Sequence, residues 1–293
     1  MISRAIPRLL LAAIIASAAT TGHADWIFGV ADFSTSEPLK NAPVIIAAGY
    51  DFIEPGLSKA VALPEAEFRA ASDRIRADGI RVAAMNWFVP GSVKLTGPDV
   101  DPAKVRDYAE RALALANGLG ARAIVFGSPA ARTVPDGFSP ETAWNQLTDF
   151  CRTCADIIEK HGYPIRIGIE HLNRGETNIV NTLADALRMA RDVDRPQIGV
   201  TLDFYHLMVE KEDVDLVLQA KGLVAHVQLA DPDGRKFPSP DAAIPGFQRF
   251  FENLRTIGYD GGISIEANVG SLGTDLPAGL AALKAAAAKR PKP

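Results

Sequence analysis

The chain has 293 residues, 47% of them hydrophobic, and its charges almost balance at a formal net of −4. That length supports one large core, and an acidic balance without a basic stripe argues against a nucleic-acid partner. Small, uncharged or weakly charged ligands fit such a composition better.

In chain order, the first feature is an export signal. Arg4 and Arg8 precede an apolar run over residues 9–19, and Gly22-His23-Ala24 stands ahead of Asp25 with no acidic residue before it. A positive start, an apolar centre and a small-residue end describe a cleavable secretory signal over residues 1–24. The run is shorter than the roughly 20 apolar residues a helix needs to span a bilayer. The expected product is a soluble periplasmic or secreted protein comprising residues 25–293, with no membrane partner.

From Trp26 onward, short apolar or β-branched runs alternate with amphipathic stretches. Strands are expected over 27–31, the later half of 45–53, 81–86, 123–126, 165–170, 198–203, 223–229 and 262–266. Helices are expected over 65–78, 102–119, 140–160, 181–191, 214–220, 246–257 and 275–289. Pro64, Pro102 and Pro140 mark helix starts, and Gly79, Gly118, Gly162 and Gly258 mark helix ends. Strands alternating with helices imply a parallel sheet. Eight such units without a linker, and no glycine-rich dinucleotide fingerprint after the first strand, favour a single (β/α)8 barrel over an open doubly wound sheet. Cys151 and Cys154 fall inside a predicted helix rather than at its N-terminus, a packing position rather than a redox one.

In a closed parallel barrel, the C-terminal strand ends converge on one mouth, where sites are built. The second half of the chain puts Glu170, Asp203, His226 and Glu266 at or next to such ends. Three carboxylates around one mouth repel each other unless a cation sits among them. Three carboxylates and one imidazole form a mostly hard donor set, which suits Mn²⁺ or Mg²⁺, with Mn²⁺ the first expectation and Co²⁺ or Zn²⁺ also accommodated. Glu54 and Asn86 close the second and third strands and face the same mouth, where they would support the site from behind or shape a substrate pocket. Trp87, with Phe88 behind it, could form an apolar wall against a sugar face.

Several segments together resemble a known family, the sugar isomerases and epimerases with a xylose-isomerase-like barrel, and among these the ketose 3-epimerases. Glu170-His171-Leu172-Asn173-Arg174-Gly175-Glu176-Thr177 is similar to that family's Glu-x-x-Asn-Arg-x-Glu-Thr segment. Asp203-Phe204-Tyr205-His206 resembles its Asp-x-x-His. His226-Val227-Gln228-Leu229-Ala230-Asp231 resembles its His-x-His-x-x-Asp, with Gln228 where a second histidine is common. Ile263-Ser264-Ile265-Glu266 resembles its last strand.

The resemblance implies that Glu170, Asp203, His226 and Glu266 bind one divalent metal, and that Glu170 and Glu266 exchange a proton with substrate carbon from opposite faces. The metal would act as Lewis acid and stabilise an enediolate while a carboxylate serves as general base. His206, Glu176 and Arg235 would bind substrate oxygens, although Arg235 stands further from His226 than the pattern expects. Relatives of this kind are often oligomers, so a homo-oligomer is a further expectation by analogy.

An exported chain without a glycine-rich phosphate cradle points to an unphosphorylated or oxidised sugar. The same machinery could instead expel a β-leaving group from a keto-sugar or 3-keto-glycoside as a lyase, and a non-catalytic sugar-binding barrel is a third reading. A multi-zinc DNA-repair endonuclease on a related barrel needs many histidines, and this chain has five.

Overall fold

A computed structural model describes residues 26–289; the expected export signal lies outside the described residues. Eight parallel strands are ordered β2-β1-β8-β7-β6-β5-β4-β3. They are β1 (Ile27–Ala31), β2 (Phe52–Glu54), β3 (Ala84–Met85), β4 (Ala123–Phe126), β5 (Arg166–Glu170), β6 (Ile198–Asp203), β7 (Val224–Leu229) and β8 (Gly262–Ile265). The seam between β2 and β3 is held by parallel bridges at Ile53–Val82 and Gly56–Asn86, and the Ile53 amide donates to the Arg81 carbonyl at 3.0 Å. The chain is therefore a nearly closed barrel.

Local chemistry accounts for most element boundaries. Helix α1 (Pro38–Ala47) follows β1, and α2 (Leu57–Ala62) and α3 (Glu65–Ala77) follow β2. Helix α4 (Pro102–Gly118) starts where the Asp101 carboxylate accepts from the Ala103 and Lys104 amides, with Pro102 supplying a pre-set φ. Beyond β4 come a single turn, α5 (Pro129–Arg132), and the long α6 (Pro140–His161). Ser139 caps the start of α6, and Gly162, at φ 62°, ends it in the left-handed region that glycine enters without strain. Helix α7 (Leu183–Val193) opens with a capping box between Thr182 and Asp185. A short α8 (Phe204–Val209) and a 3₁₀ helix (Val214–Ala220) follow β6, then α9 (Phe247–Thr256) and α10 (Leu272–Ala288) close the ring.

Two differences from the sequence reading have physical causes. The strand expected in the later half of 45–53 is confined to residues 52–54, and the sequence reading expects no helix over residues 38–47, where Pro43 and β-branched Val44-Ile45-Ile46 read as non-helical although Pro38 nucleates the turn of α1. The third strand shrinks to two residues, and the remaining expected pairing survives only as the seam bridges. Cys151 and Cys154 are buried and unpaired in α6 as packing residues, and burial pushes the Cys151 thiol up to about 12.

Alternate positions of every strand point into the barrel. On the inner face, the Phe52 ring lies where a side chain at Gly29 would stand, so a Cβ there would overlap it. Gly168 likewise leaves room for the Thr201 hydroxyl. These small residues let the floor of the barrel fill with large neighbours, and the polar inward positions lie above it, toward the mouth.

Candidate active site

Glu170 and Asp203 are the last residues of β5 and β6, and Glu266 directly follows β8. All three are buried. Glu170 is held from behind by Arg132, a fully buried side chain that donates to the Glu170 carbonyl at 2.8 Å and to the Phe126 carbonyl at 3.0 Å. The guanidinium thus staples the ends of β4 and β5. The Glu170 carboxylate crosses the end of β4 at Gly127, where a Cβ would overlap its Oε2. Sequence reasoning misses both Gly127 and Arg132. The signals that point to them are a glycine directly after the 123–126 strand and an arginine in the otherwise apolar Pro129-Ala-Ala-Arg132 turn.

Asp203 Oδ1 accepts from the Tyr205 amide at 2.7 Å, starting α8, while Oδ2 has no partner. His206, one turn on, places Nε2 3.5 Å from Glu170 Oε1 and 3.6 Å from Asp203 Oδ2. These three side chains have the spacing of a cation site. The tautomer of His206 decides its role. Its Nδ1 accepts from the Asn173 backbone amide at 3.1 Å, a group that can only donate. The ring proton therefore sits on Nε2, facing the two carboxylates. Burial, followed by the nearby Arg235, holds its pKa well below the usual histidine range, so the ring is neutral at pH 7. His206 is placed as a proton donor into the cleft rather than as a lone-pair donor to a metal.

Glu266 is clamped from both sides. Asn86 Nδ2 donates to Oε1 at 2.8 Å, and Arg235 Nη2 pairs with Oε2. The other arm of Arg235 reaches Glu176 Oε1 at 3.0 Å. Its guanidinium lies 4.0 Å from the Phe33 ring centroid and 4.6 Å from that of Tyr205. Burial works against its charge, but Glu266, Asp203, Glu176 and Glu170 outweigh that and raise its pKa. Trp87 lines the same cleft, with its indole nitrogen donating to the Asp32 carbonyl at 2.7 Å. Both Trp87 (φ 49°) and Arg235 (φ 50°) sit in the left-handed backbone region, a strain that side-chain-bearing residues keep only where the surroundings enforce it. The cleft is lined by Glu170, Glu176, Arg235, Glu266, Trp87 and Phe33 among others.

His226 does not join this group. Its Nε2 lies 2.8 Å from Glu54 Oε2 and 2.8 Å from Ser264 Oγ, below the mouth. The reason is register. Along β7 the inward positions are 226 and 228; His226 is level with Thr201, whereas Gln228 is level with Asp203. The inward residue level with Asp203 is therefore Gln228, and the structure does not bring His226, the expected ligand, beside Asp203. Glu54 takes the supporting one of the two parts expected of it. It is fully buried and engaged by His226, Ser264 and Gln228, whose Nε2 donates to Oε1 at 2.8 Å, so it supports the site from beneath instead of facing substrate.

Electrostatics set the chemistry. Burial, then the Glu266 and Asp203 charges, push the Glu170 carboxyl well above the usual range. Burial raises Glu266 to about 7 against the opposing pull of Arg235, and raises Asp203 to about 6. Buried oxygens without partners include Glu170 Oε1, Asp203 Oδ2 and Gln228 Oε1. Such groups are costly unless something satisfies them. Unpartnered carboxylate and carbonyl oxygens beside mutually repelling acids are the donor chemistry of a hard divalent cation, so these residues fit one.

Comparisons with known proteins agree with this architecture. A family model described as "Xylose isomerase-like TIM barrel" matches residues 44–287. A probable ketose 3-epimerase of Synechocystis sp. is 34% identical over 104 residues, which is 35% of this chain and 35% of that protein. The 3-dehydro-D-guloside 4-epimerase of Escherichia coli is 31% identical over 124 residues, 42% of this chain and 45% of that protein. The chain thus spans between about a third and under half of the length of these curated relatives. In fold it is similar to the D-allulose 3-epimerase of Methylomonas sp. in complex with D-allulose, with a TM-score of 0.74, 22% identity and coverage of 89% of this chain and 96% of that one. A 3-keto-D-glucoside 4-epimerase from E. coli gives a TM-score of 0.72 at 21% identity, covering 89% of this chain and 99% of that one.

Proposed function

From the premise that the chain belongs to the xylose isomerase-like TIM barrel family, we propose that it is a metal-dependent epimerase or isomerase of an unphosphorylated or oxidised sugar, exported from the cytoplasm. The observation that carries this reading is the pair Glu170 and Glu266. Both carboxylates are buried, both line one cleft, and burial raises the pKa of both.

A C–H beside a carbonyl is a weak acid, and inverting that carbon requires a base on one face and a proton source on the other. Glu170, free at Oε1, and Glu266, aimed by Asn86 and Arg235, supply these two groups from strands separated by β6 and β7. A divalent cation held by Glu170, Asp203 and Glu266 would polarise the carbonyl and the neighbouring hydroxyl as a Lewis acid. His206 presents its Nε2 proton to an oxygen beside the reacting carbon. Arg235 and Glu176 hold a second polar edge of the sugar, and Trp87 with Phe33 covers an apolar face. Two relatives bearing the names 3-dehydro-D-guloside 4-epimerase and 3-keto-D-glucoside 4-epimerase favour an oxidised glycoside as the substrate.

The test is incubation of the purified protein and a divalent cation with a panel of free ketoses and 3-keto-glycosides in D₂O, followed by NMR. Deuterium at one carbon of an intact, epimerised or isomerised sugar is expected. An unsaturated product would replace this reading with β-elimination. Binding without exchange across the panel would replace it with a sugar-binding barrel.

A further inference from the structure

We infer that Gln228 is the fourth protein ligand of the cation, through its amide oxygen, and that Glu54 locks it in that orientation, giving an all-oxygen site selective for hard divalent ions. The inference rests on the metal-dependent reading above and names the property that distinguishes this chain's site.

Three observations carry it. Gln228 is at the height of Asp203 on the inner face of the neighbouring strand, and one strand further on Ser264 stands level with it, two residues below Glu266. Its side chain is fully buried, and Oε1 has no partner. Its Nε2, in contrast, is taken by Glu54 Oε1 at 2.8 Å. An amide has one donor end and one acceptor end, and these are set by the network around it. Turning Gln228 over would set its oxygen against a carboxylate oxygen. Glu54 cannot move aside, because its other oxygen already accepts from Ser264 and sits 2.8 Å from His226 Nε2. The amide oxygen is consequently left on the side away from Glu54, without a partner.

His206 offers no competing lone pair, because its Nδ1 is occupied by the Asn173 amide and its Nε2 carries the proton. His226 is spent on Glu54 and Ser264. Gln228 is thus the uncharged donor left at this height. An amide oxygen is a harder donor than an imidazole nitrogen. Replacing the nitrogen lowers the advantage of Zn²⁺ and Co²⁺ and favours Mg²⁺ and Mn²⁺. The arrangement also makes Glu54 a positioning residue that acts on the ion only through the amide.

Isothermal titration of the chelator-stripped protein with Mg²⁺, Mn²⁺, Co²⁺ and Zn²⁺ tests this without any substrate. The wild type is expected to bind one Mg²⁺ or Mn²⁺. Gln228→Leu should weaken both by at least tenfold. Gln228→His should raise the ratio of Zn²⁺ to Mg²⁺ affinity by at least tenfold. Glu54→Gln, which lets the amide turn, should weaken Mg²⁺ several-fold, while Gln228→His made in the same background should keep its Zn²⁺ affinity. Unchanged Mg²⁺ and Mn²⁺ affinity in Gln228→Leu, in a protein whose Asp203→Asn variant has lost the ion, overturns this inference and leaves the metal reading standing. A wild type that binds no divalent ion overturns both.

Discussion

Glu266 is held by two unlike partners, a neutral amide and a guanidinium, and that pairing sets how it can work. Asn86 fixes the direction of one oxygen, while Arg235 offsets part of the burial cost that raises its pKa to about 7. Glu266→Gln keeps the shape but removes the exchangeable proton. Turnover is expected to fall by about 10²–10⁴-fold, and solvent deuterium should no longer enter substrate; an enzyme that still exchanges the proton would remove Glu266 from the acid–base pair. The raised carboxyls also make a stability prediction. Glu266 and Asp203 favour protons more in the folded chain than in the unfolded one, so their contribution is complete below about pH 4 and is lost as pH rises through about 6 to 7. A tenfold gain in a carboxyl's proton affinity on folding is worth about 1.4 kcal/mol, which for a chain of this size predicts a fall in Tm of roughly 5 °C between pH 5.5 and 8. Calorimetry on chelator-stripped protein should show that fall, and a saturating divalent cation should flatten it. A Tm that rises over the same interval would contradict the crowded-carboxylate picture.

At the scale of the elements, two glycines with the same steric problem should fail in opposite ways. At Gly29 a new Cβ would overlap the Phe52 ring in the barrel floor; at Gly127 it would overlap Glu170 Oε2 at the mouth. Gly29→Ala is therefore expected to lower stability by about 1–3 kcal/mol through overpacking, with kcat of the folded protein unchanged. Gly127→Ala should cost less stability, because a carboxylate can swing aside, but should cut kcat at least tenfold. Thermal melts paired with turnover separate the two, and equal losses of both properties in both variants would sink the distinction. The same pair marks what is legible in the sequence. Strand ends and helix caps are local, so β1, β4 and β6 match their expected bounds, and the position of Glu170, Asp203 and Glu266 after apolar runs is enough to put them at the mouth. Interlocking across the barrel is not local. Nothing near Gly127 in sequence announces Glu170, and nothing near Glu54 announces His226, 172 positions away. The choice between His226 and Gln228 is the clearest case. Two inward positions on one strand differ in height by two residues, and only the inter-strand register says that Gln228, rather than His226, is level with Asp203.

At the scale of the whole chain, the barrel bears on where a leader could be cut. Strand β1 begins at Ile27 and is paired on both sides, with β2 and with β8. Trp26, directly before it, is buried and donates from its indole nitrogen to the Tyr259 carbonyl at 2.7 Å. Among the described residues no helix is long and apolar enough to cross a membrane. A leader ending at Ala24 would thus be cut one residue before Trp26. Expression of the full chain in a Gram-negative host should yield a periplasmic product whose N-terminal sequence starts at Asp25. A chain begun at residue 25 should melt at the same temperature as an unprocessed full-length chain, the outcome a removable leader predicts. The two measurements answer separate questions. An unprocessed chain retained in the cytoplasm would end the export proposal, while a lower Tm in the shortened chain would mean that residues before Trp26 pack against the barrel and are not a leader at all.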